Sequence, residues 1–379
     1  MQQEKKIVQT LDIENNCHGI YCNEQFHFEN EKDKMKDAKF AWCSSPLFED
    51  DKRWTFLNIF LKEQKLEDFS LDQTSLKSVS CQITAQKQAA ITAKVDFSES
   101  CFYEIIPDHL LHRWFSLREQ AMQSVLQNIS KPDDYDILHK IHVLVSDISS
   151  RTLTVSGLEQ KVKYNMFSSA TGRLATGRDS YPILNIHKSE RSSITPKNDL
   201  FLELDLNGAE IRTLLGFSGV KQPSEDIHLW NMKELPPWIE RSEAKEKFFA
   251  WLYNPKAENG IYEKFYNKKA YLEHFNGEIV KTPFGRELPV DERKALNYLL
   301  QSTTSDIVLD NSYKIMKLLK DRRSNIAFTM HDSVVLDFAK EDHHMVKEIK
   351  DLFENNLFGK FLSTVNIGKN FGNLKEINI

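Results

Sequence analysis

FLELDL, residues 201–206, sets leucine against acid in strict alternation. Successive side chains of a strand point to opposite faces, so Leu202, Leu204 and Leu206 share one face and Glu203 and Asp205 the other. A strand with one apolar face needs a core beneath it, and Asp205 leaves that core at the strand's far end. The following residues, NGAEIRTLLGF (207–217), read as a helix. Asn207 is placed as its N-cap, and Glu210, three residues on, completes a capping-box pattern.

A second stretch answers the first. IAFTMHDSVVLDF (326–338) reads as two apolar strands meeting at a polar tip, a hairpin with His331, Asp332 and Ser333 at its apex. Two-metal nucleotidyl transfer needs a pair of carboxylates holding divalent ions roughly 4 Å apart. Asp205 and Asp332 fit in kind, because each ends a strand among apolar residues, where an unpaired charge is costly unless it meets a cation. The plainer reading of each is an ordinary turn aspartate.

RSEAKEKFFAWLY (241–253) places Arg241, Lys245, Phe249 and Tyr253 at steps of four. On a helix these form one slowly drifting stripe roughly 18 Å long. Either this is a solvated helix with aromatics tucked into a core, or the two cations grip a triphosphate and the two rings offer a stacking face to its base. In DERKALNYLLQSTTSDIVLDN (291–311), Arg293, Asn297 and Gln301 share a polar face on an otherwise apolar helix. Such donors suit the N3 and O2 acceptors of a duplex minor groove; internal hydrogen bonds are the alternative.

The whole chain sets bounds on these readings. Its 379 residues, 40% hydrophobic, suit one large or two to three modest domains. Sparse glycine (13) and 28% charged residues favour long surface helices over a Gly-rich sandwich or a dinucleotide-binding sheet. A net charge of −5 excludes a globally basic polyanion binder, so any nucleic-acid surface is local. All five cysteines fall within the first 101 residues; an odd number without a secretory signal predicts reduced thiols and a cytoplasmic location. No uncharged apolar run approaches the roughly 20 residues that cross a bilayer, so no membrane partner is expected. Cys17, His18, Cys22 and His27 lack the paired short-knuckle spacing of a zinc site.

Residues 1–104 mix strand-like runs, IVQTLDI, GIYCNEQFHF and AAITAKVDF, with polar connectors and read as a separate α+β unit. From Pro107 the pattern turns helical, with HLLHRWFSLREQAMQSVL and, after the KPDD turn at 131–134, YDILHKIHVLVSDI forming two antiparallel helices. KVKYNMFSSATGRLATG (161–177) reads as a strand running into a Gly-containing turn.

In this order these pieces resemble the family A DNA polymerases, the group related to bacterial DNA polymerase I and to phage replicases, over about residues 161–379. TGRL (171–174) is similar to the motif before the palm, DLNGAEIR (205–212) to motif A, and DIH (226–228) to the fingers-entry signature. RSEAKEKFFAWLY is similar to motif B, RKALNYLLQSTTSDI (293–307) to the long helix after it, and MHDS (330–333) to motif C. The resemblance implies an α+β right-hand polymerase with an antiparallel palm sheet, helical fingers, a small helical thumb and a small N-terminal α+β domain. The implied divisions are 1–104 for the N-terminal domain, 105–160 for a reduced thumb, 161–220 for palm with motif A, 221–292 for fingers, and 293–379 for palm with motif C.

Carried over residue by residue, the resemblance makes Asp205 and Asp332 catalytic, as ligands of two Mg²⁺ ions for which Mn²⁺ can substitute, with the Leu206 carbonyl as a further ligand. His228, Arg241 and Lys245 would hold the incoming triphosphate, and Phe249 and Tyr253 would pack on its sugar and base. Arg173, Arg293, Asn297, Gln301 and His331 would contact DNA near the primer end. Glu210 would crowd a ribose 2′-OH and so favour deoxyribose. The implied activity is a DNA-directed DNA polymerase, a nucleotidyltransferase serving phage or mobile-element replication in a bacterial cytoplasm. Its partners would be a primed DNA template, dNTP and other replication proteins, and it would act as a monomer of low processivity.

Three residues depart from the family pattern. Ser333 stands where a glutamate is usual and is similar to the version in single-subunit RNA polymerases. Asn254 replaces a glycine, in a turn where a left-handed backbone is expected, and Gly208 stands where glutamine is common. Asp12 and Glu14 echo the first metal motif of a proofreading exonuclease, but about 105 residues are too few for that domain; a scaffold, a docking unit or a remnant fits better. The alternatives are a single-subunit RNA polymerase or primase-like relative, and a polymerase-like DNA-binding protein without catalysis.

Overall fold

The computed structural model describes residues 5–9, 19–28, 38–43, 54–62, 64–97, 100–177, 180–254 and 256–378. They fall into two compact units, Met1–Tyr135 and Asp136–Ile379. Asp12, Glu14, Cys17 and His18 lie outside the described residues.

The first unit is α+β, as its alternating runs imply. Strand Lys5–Gln9 pairs in parallel with Phe40–Cys43 and with Trp54–Phe56, while the hairpin Gly19–Cys22/Gln25–Phe28 adds antiparallel strands beside Phe40–Cys43. Helices Gln73–Thr92 and Asp108–Asn128 follow. The core is aromatic: Tyr21 stacks on Phe115 at 4.0 Å, and the Arg118 guanidinium lies over Trp42 and Trp114 while pairing with Glu67. Rings on two sides and a carboxylate are what let a guanidinium leave water at tolerable cost.

Two expectations for this unit are corrected. AAITAKVDF is not a strand; its first four residues end the helix Gln73–Thr92. Asp72 nucleates that helix by accepting from the Ser75 amide at 2.9 Å, and alanine and long-chain residues propagate it past the β-branched Ile91. Cys101 is disulfide-bonded, not reduced, because linear spacing is silent on which sulfurs meet in space. Among the described residues no group of three or more His, Cys, Asp or Glu could hold a metal ion, and no helix is long and apolar enough to cross a membrane.

The second unit is built on an antiparallel sheet in the order Asn325–Met330, Ser333–Phe338, Leu200–Leu206, Ser363–Gly368, Lys375–Glu376. The alternation read in FLELDL holds: Leu202, Leu204 and Leu206 are buried, Glu203 is half-buried and Asp205 is exposed. The register sets Asp205 opposite Ser333 on one side and Thr364 on the other. A long helix, Glu292–Leu318, forms much of the core, and its QSTTSD segment is buried from Ser302 onward. Small hydroxyl side chains let a second helix approach closely, and Thr213 of helix Ala209–Phe217 meets Thr304 there at 2.9 Å.

The helices expected as one thumb, Asp108–Asn128 and Tyr135–Ser150, fall on either side of the division between the units.

Candidate active site

The strand Leu200–Leu206 and the hairpin tip are locked together before any side chain is considered. The Leu206 amide donates to the Asp332 carbonyl at 3.2 Å, and Asp205 pairs in register with Ser333. His331 adopts φ 50°, a left-handed conformation that costs a non-glycine residue about 1 kcal/mol and suits a two-residue hairpin turn. Ser333 is buried, and its hydroxyl donates to the Met330 carbonyl at 3.0 Å, closing the tip. The serine that departs from the family pattern is therefore a brace of the hairpin.

The capping box expected at Asn207 and Glu210 is not formed. Gly208 is the N-cap, with φ 59° and no side-chain cap, and a Cβ there would collide with the Ile227 side chain. Asn207 instead donates to Asp226 at 2.7 Å and accepts from the Ile227 amide and the buried Arg212. Arg212 also donates to the carbonyls of Asn207, Pro223 and Glu225, which fixes the loop that brings Asp226 back to the strand end. A tertiary network offering several partners outweighs one local cap bond.

Asp226 caps helix Ile227–Met232 through the amides of His228 and Leu229 and pairs with Arg241 at 2.6 Å. Burial opposes its ionisation, yet Arg241, the Leu229 amide and Asn207 together hold its carboxyl well below the usual carboxylate range. Arg241 opens the helix Arg241–Tyr253, whose bounds match the quoted motif. The stripe of four forms: Phe249 and Tyr253 stack nearly parallel at 5.9 Å. Asn254, expected in a left-handed turn, is extended with φ −98°, since the helix end is closed by Lys268 donating to the carbonyls of Trp251, Asn254 and Ala257.

One cavity of about 470 Å³ is lined by Asp205, Leu206, Glu210, His228, Arg241, Lys245, Phe249 and Asp332. Residues from the strand end, three helices and the hairpin tip thus share one space. Its electrostatics are divided. Asp205 is open to the cavity along one side, yet the protein atoms packed around its carboxyl strip away water, and this desolvation, then Glu203 and Asp332, push it up to about 7, against the pull of Lys245. Burial and Glu210 likewise raise Asp332, opposed by Arg173 and His331. His228, almost fully buried, is lowered to about 4 by desolvation, against the opposite influence of Asp226 and helped by the cations Arg241 and Lys245. It is a neutral imidazole at pH 7, able to donate one hydrogen bond without adding charge.

Glu210 accepts from Arg173 and from the Tyr253 hydroxyl, so one carboxylate ties the TGRL turn to the far end of the cationic helix. That turn is framed by the short hairpin Tyr164–Asn165/Ala175–Thr176, and Tyr164 fixes it to the sheet by donating to the Thr329 carbonyl at 2.7 Å.

The remaining sequence-predicted residues do not line this cavity. Arg173 and His331 line a small recess with Ser305 and Leu309. Tyr253, Arg293 and Asn297 line a second, larger cavity of about 860 Å³, together with Tyr266, Tyr271 and Lys268. Gln301 is half-buried further along the long helix and lines none of these three. Among the described residues, the Asn297 side-chain oxygen is buried without a hydrogen-bond partner. Reading the sequence missed Asp226 as the partner of Arg241; its signal was an aspartate directly before the apolar start of a helix.

Two carboxylates and the adjacent Leu206 carbonyl are chemically suited to divalent cations, which prefer oxygen ligands and offset the repulsion that raises both acids.

No family model matches the chain. Over 101 residues it is 38% identical to a DNA polymerase of Bacillus phage SP01, a match covering 23% of this chain and 11% of that relative. Among solved structures, the POL domain of Pol1 from M. smegmatis, in complex with DNA primer-template and dNTP, matches with a TM-score of 0.47 at 14% identity, over 83% of this chain and 66% of that one.

Proposed function

We propose that the chain is a family A, template-directed DNA polymerase that extends a primer 3′-hydroxyl with dNTPs. The observation that carries this reading is the single cavity in which the strand-end carboxylates Asp205 and Asp332 face the cationic helix bearing Arg241 and Lys245. The match to a phage DNA polymerase supports it over the segment aligned.

Each residue's part follows from its surroundings. Lys245 and Arg241 bind the triphosphate as charge-assisted donors, and neutral His228 adds a hydrogen bond to it. Phe249, half-buried at the cavity wall, packs against the sugar and base. Glu210, fixed from two sides by Arg173 and Tyr253, stands where a ribose 2′-hydroxyl would need room and solvation. Asp205, Asp332 and the Leu206 carbonyl would hold two Mg²⁺ ions, which when bound lower the pKa of the attacking hydroxyl and neutralise charge on the leaving pyrophosphate. Arg293, Asn297 and Gln301 would meet the duplex near the primer end.

A second reading, a single-subunit RNA polymerase, drew on Ser333. The buried hydroxyl of Ser333 donates to the Met330 carbonyl, which gives that serine a place in the hairpin under either reading. The experiment that separates the two is extension of a primed DNA template with dNTPs and with rNTPs. Wild type should prefer dNTPs, and Glu210→Ala should lower the dNTP-to-rNTP ratio by at least about tenfold, on the order of 1.4 kcal/mol. A wild type that prefers rNTPs, or a Glu210→Ala ratio equal to wild type, would reject the assignment of Glu210.

A further inference from the structure

The strands Ile279–Lys281 and Glu287–Pro289 pair as a hairpin, and the intervening turn is closed three times by Thr282. Its amide donates to the Arg286 carbonyl at 2.9 Å, its carbonyl accepts from Gly285 at 2.9 Å, and its hydroxyl accepts from the Arg286 amide at 3.2 Å. This rigid turn directs Arg286 inward. Only 5% exposed, Arg286 meets Asp306, 0% exposed on the long helix, through contacts of 2.8 to 3.0 Å that involve two guanidinium nitrogens.

The same guanidinium supports a third segment. A Cβ placed on Gly172 would lie 2.7 Å from its central carbon, and Gly172 has φ 72°. The TGRL turn therefore rests directly on the flat cation, and only glycine permits both the approach and the backbone angle. The next residue is Arg173, which reaches Glu210, which in turn holds Tyr253.

Stability gives no sufficient reason for such a pair. Replacing a buried ion pair by apolar residues of similar volume is often neutral or stabilising. A planar guanidinium held by a carboxylate does supply a rigid platform of defined height, which the flexible, tetrahedral ammonium of lysine does not.

We propose that Arg286 and Asp306 are positioning residues whose pairing sets the place of Arg173 and, through it, the orientation of Glu210 and the discrimination between sugars. The proposal rests on the function argued above. Neither residue touches substrate; both act through the Gly172 turn.

The test compares wild type with Arg286→Lys, Arg173→Ala and the double variant in the full chain, scoring the dNTP-to-rNTP ratio, kcat and KM separately, and Tm. Arg286→Lys keeps a charge beside Asp306 and loses the plane, so the sugar ratio should fall about tenfold, as it should in Arg173→Ala. The double variant should be no worse than Arg173→Ala alone, because both act on one element. Effects that multiply in the double variant, or an Arg286→Lys ratio within about twofold of wild type, overturn the proposal. If Arg286→Lys does not fold, Arg286→Met with Asp306→Leu replaces the pair by apolar groups and is expected to show the same tenfold loss. A readout independent of activity is the ¹⁵N side-chain signal of Arg173, assigned by its absence in Arg173→Ala. That signal should shift in Arg286→Lys, and an unmoved signal sinks the proposal. Wild type that extends no primer would reject the polymerase reading, while the arginine signal still decides the pair.

Discussion

Asp332→Asn should abolish primer extension, by at least about 1,000-fold, while leaving the protein folded. On the proposed reaction, losing one of two carboxylates that line the cavity removes several kcal/mol of charge stabilisation from the transfer, and each 1.4 kcal/mol is about tenfold in rate. Asparagine keeps the shape of the side chain and leaves the two hydrogen bonds that build the tip, the Leu206–Asp332 backbone bond and the Ser333 side-chain brace, untouched. The measurement is single-turnover extension of a primed template in Mg²⁺; retention of a tenth of wild-type activity would remove Asp332 from the chemistry.

The same charges set a pH dependence in the metal-free protein. Asp205 is raised to about 7 in the fold, so the folded state binds a proton more tightly than the unfolded chain does. That proton-linked stability is fully present below the unfolded carboxylate pKa, near 4, and is lost as pH rises from there through about 7. Thermal melts in chelator should therefore show Asp205→Asn more stable than wild type above pH 7 and equal to it near pH 4. Adding Mg²⁺ at pH 8 should narrow the gap, since a cation binding only the folded carboxylates stabilises them.

Lys245→Ala should lower the rate of the chemical step by about 100- to 1,000-fold, the loss expected for one preorganised donor to developing charge. Lys245 lines the cavity beside Asp205, whose ionisation it favours. Arg241, one turn earlier, already spends its guanidinium on Asp226 at 2.6 Å. To serve a triphosphate it must give up or share that partner, so the net effect of Arg241→Ala should be the smaller of the two. Single-turnover kinetics with saturating dNTP check the order; an Arg241→Ala loss exceeding that of Lys245→Ala would reverse the roles.

Much of the site was legible because it rests on short-range periodicity. The leucine alternation of 201–206 named the strand and the exposed face of Asp205, and steps of four bounded the helix 241–253. The hairpin followed from apolar runs flanking polar residues, but its turn is only His331 and Asp332; Ser333, expected at the apex, is buried as the first residue of the next strand and pairs with Met330. What stayed hidden depends on partners without a fixed sequence separation. Asn207 looked like a cap until Asp226 and Arg212 offered it more bonds, and Gly208 took the cap because Ile227 leaves no space for a side chain. Arg286 and Asp306 carry no periodic signal, and their third partner, Gly172, lies more than a hundred residues upstream. AAITAKVDF was misread because two β-branched residues, Ile91 and Thr92, say little when a capped helix is already growing into them through Ala89 and Ala90.

The tip between Met330 and Ser333 bears on how such a gene can vary over generations. Pairing on both sides of a two-residue connection means that one codon gained or lost would change the turn type and displace the carboxylate, whatever amino acid was inserted. Spelling at position 331 can drift among residues that accept a left-handed backbone, such as asparagine or glycine. The count of residues there is what inheritance has to preserve.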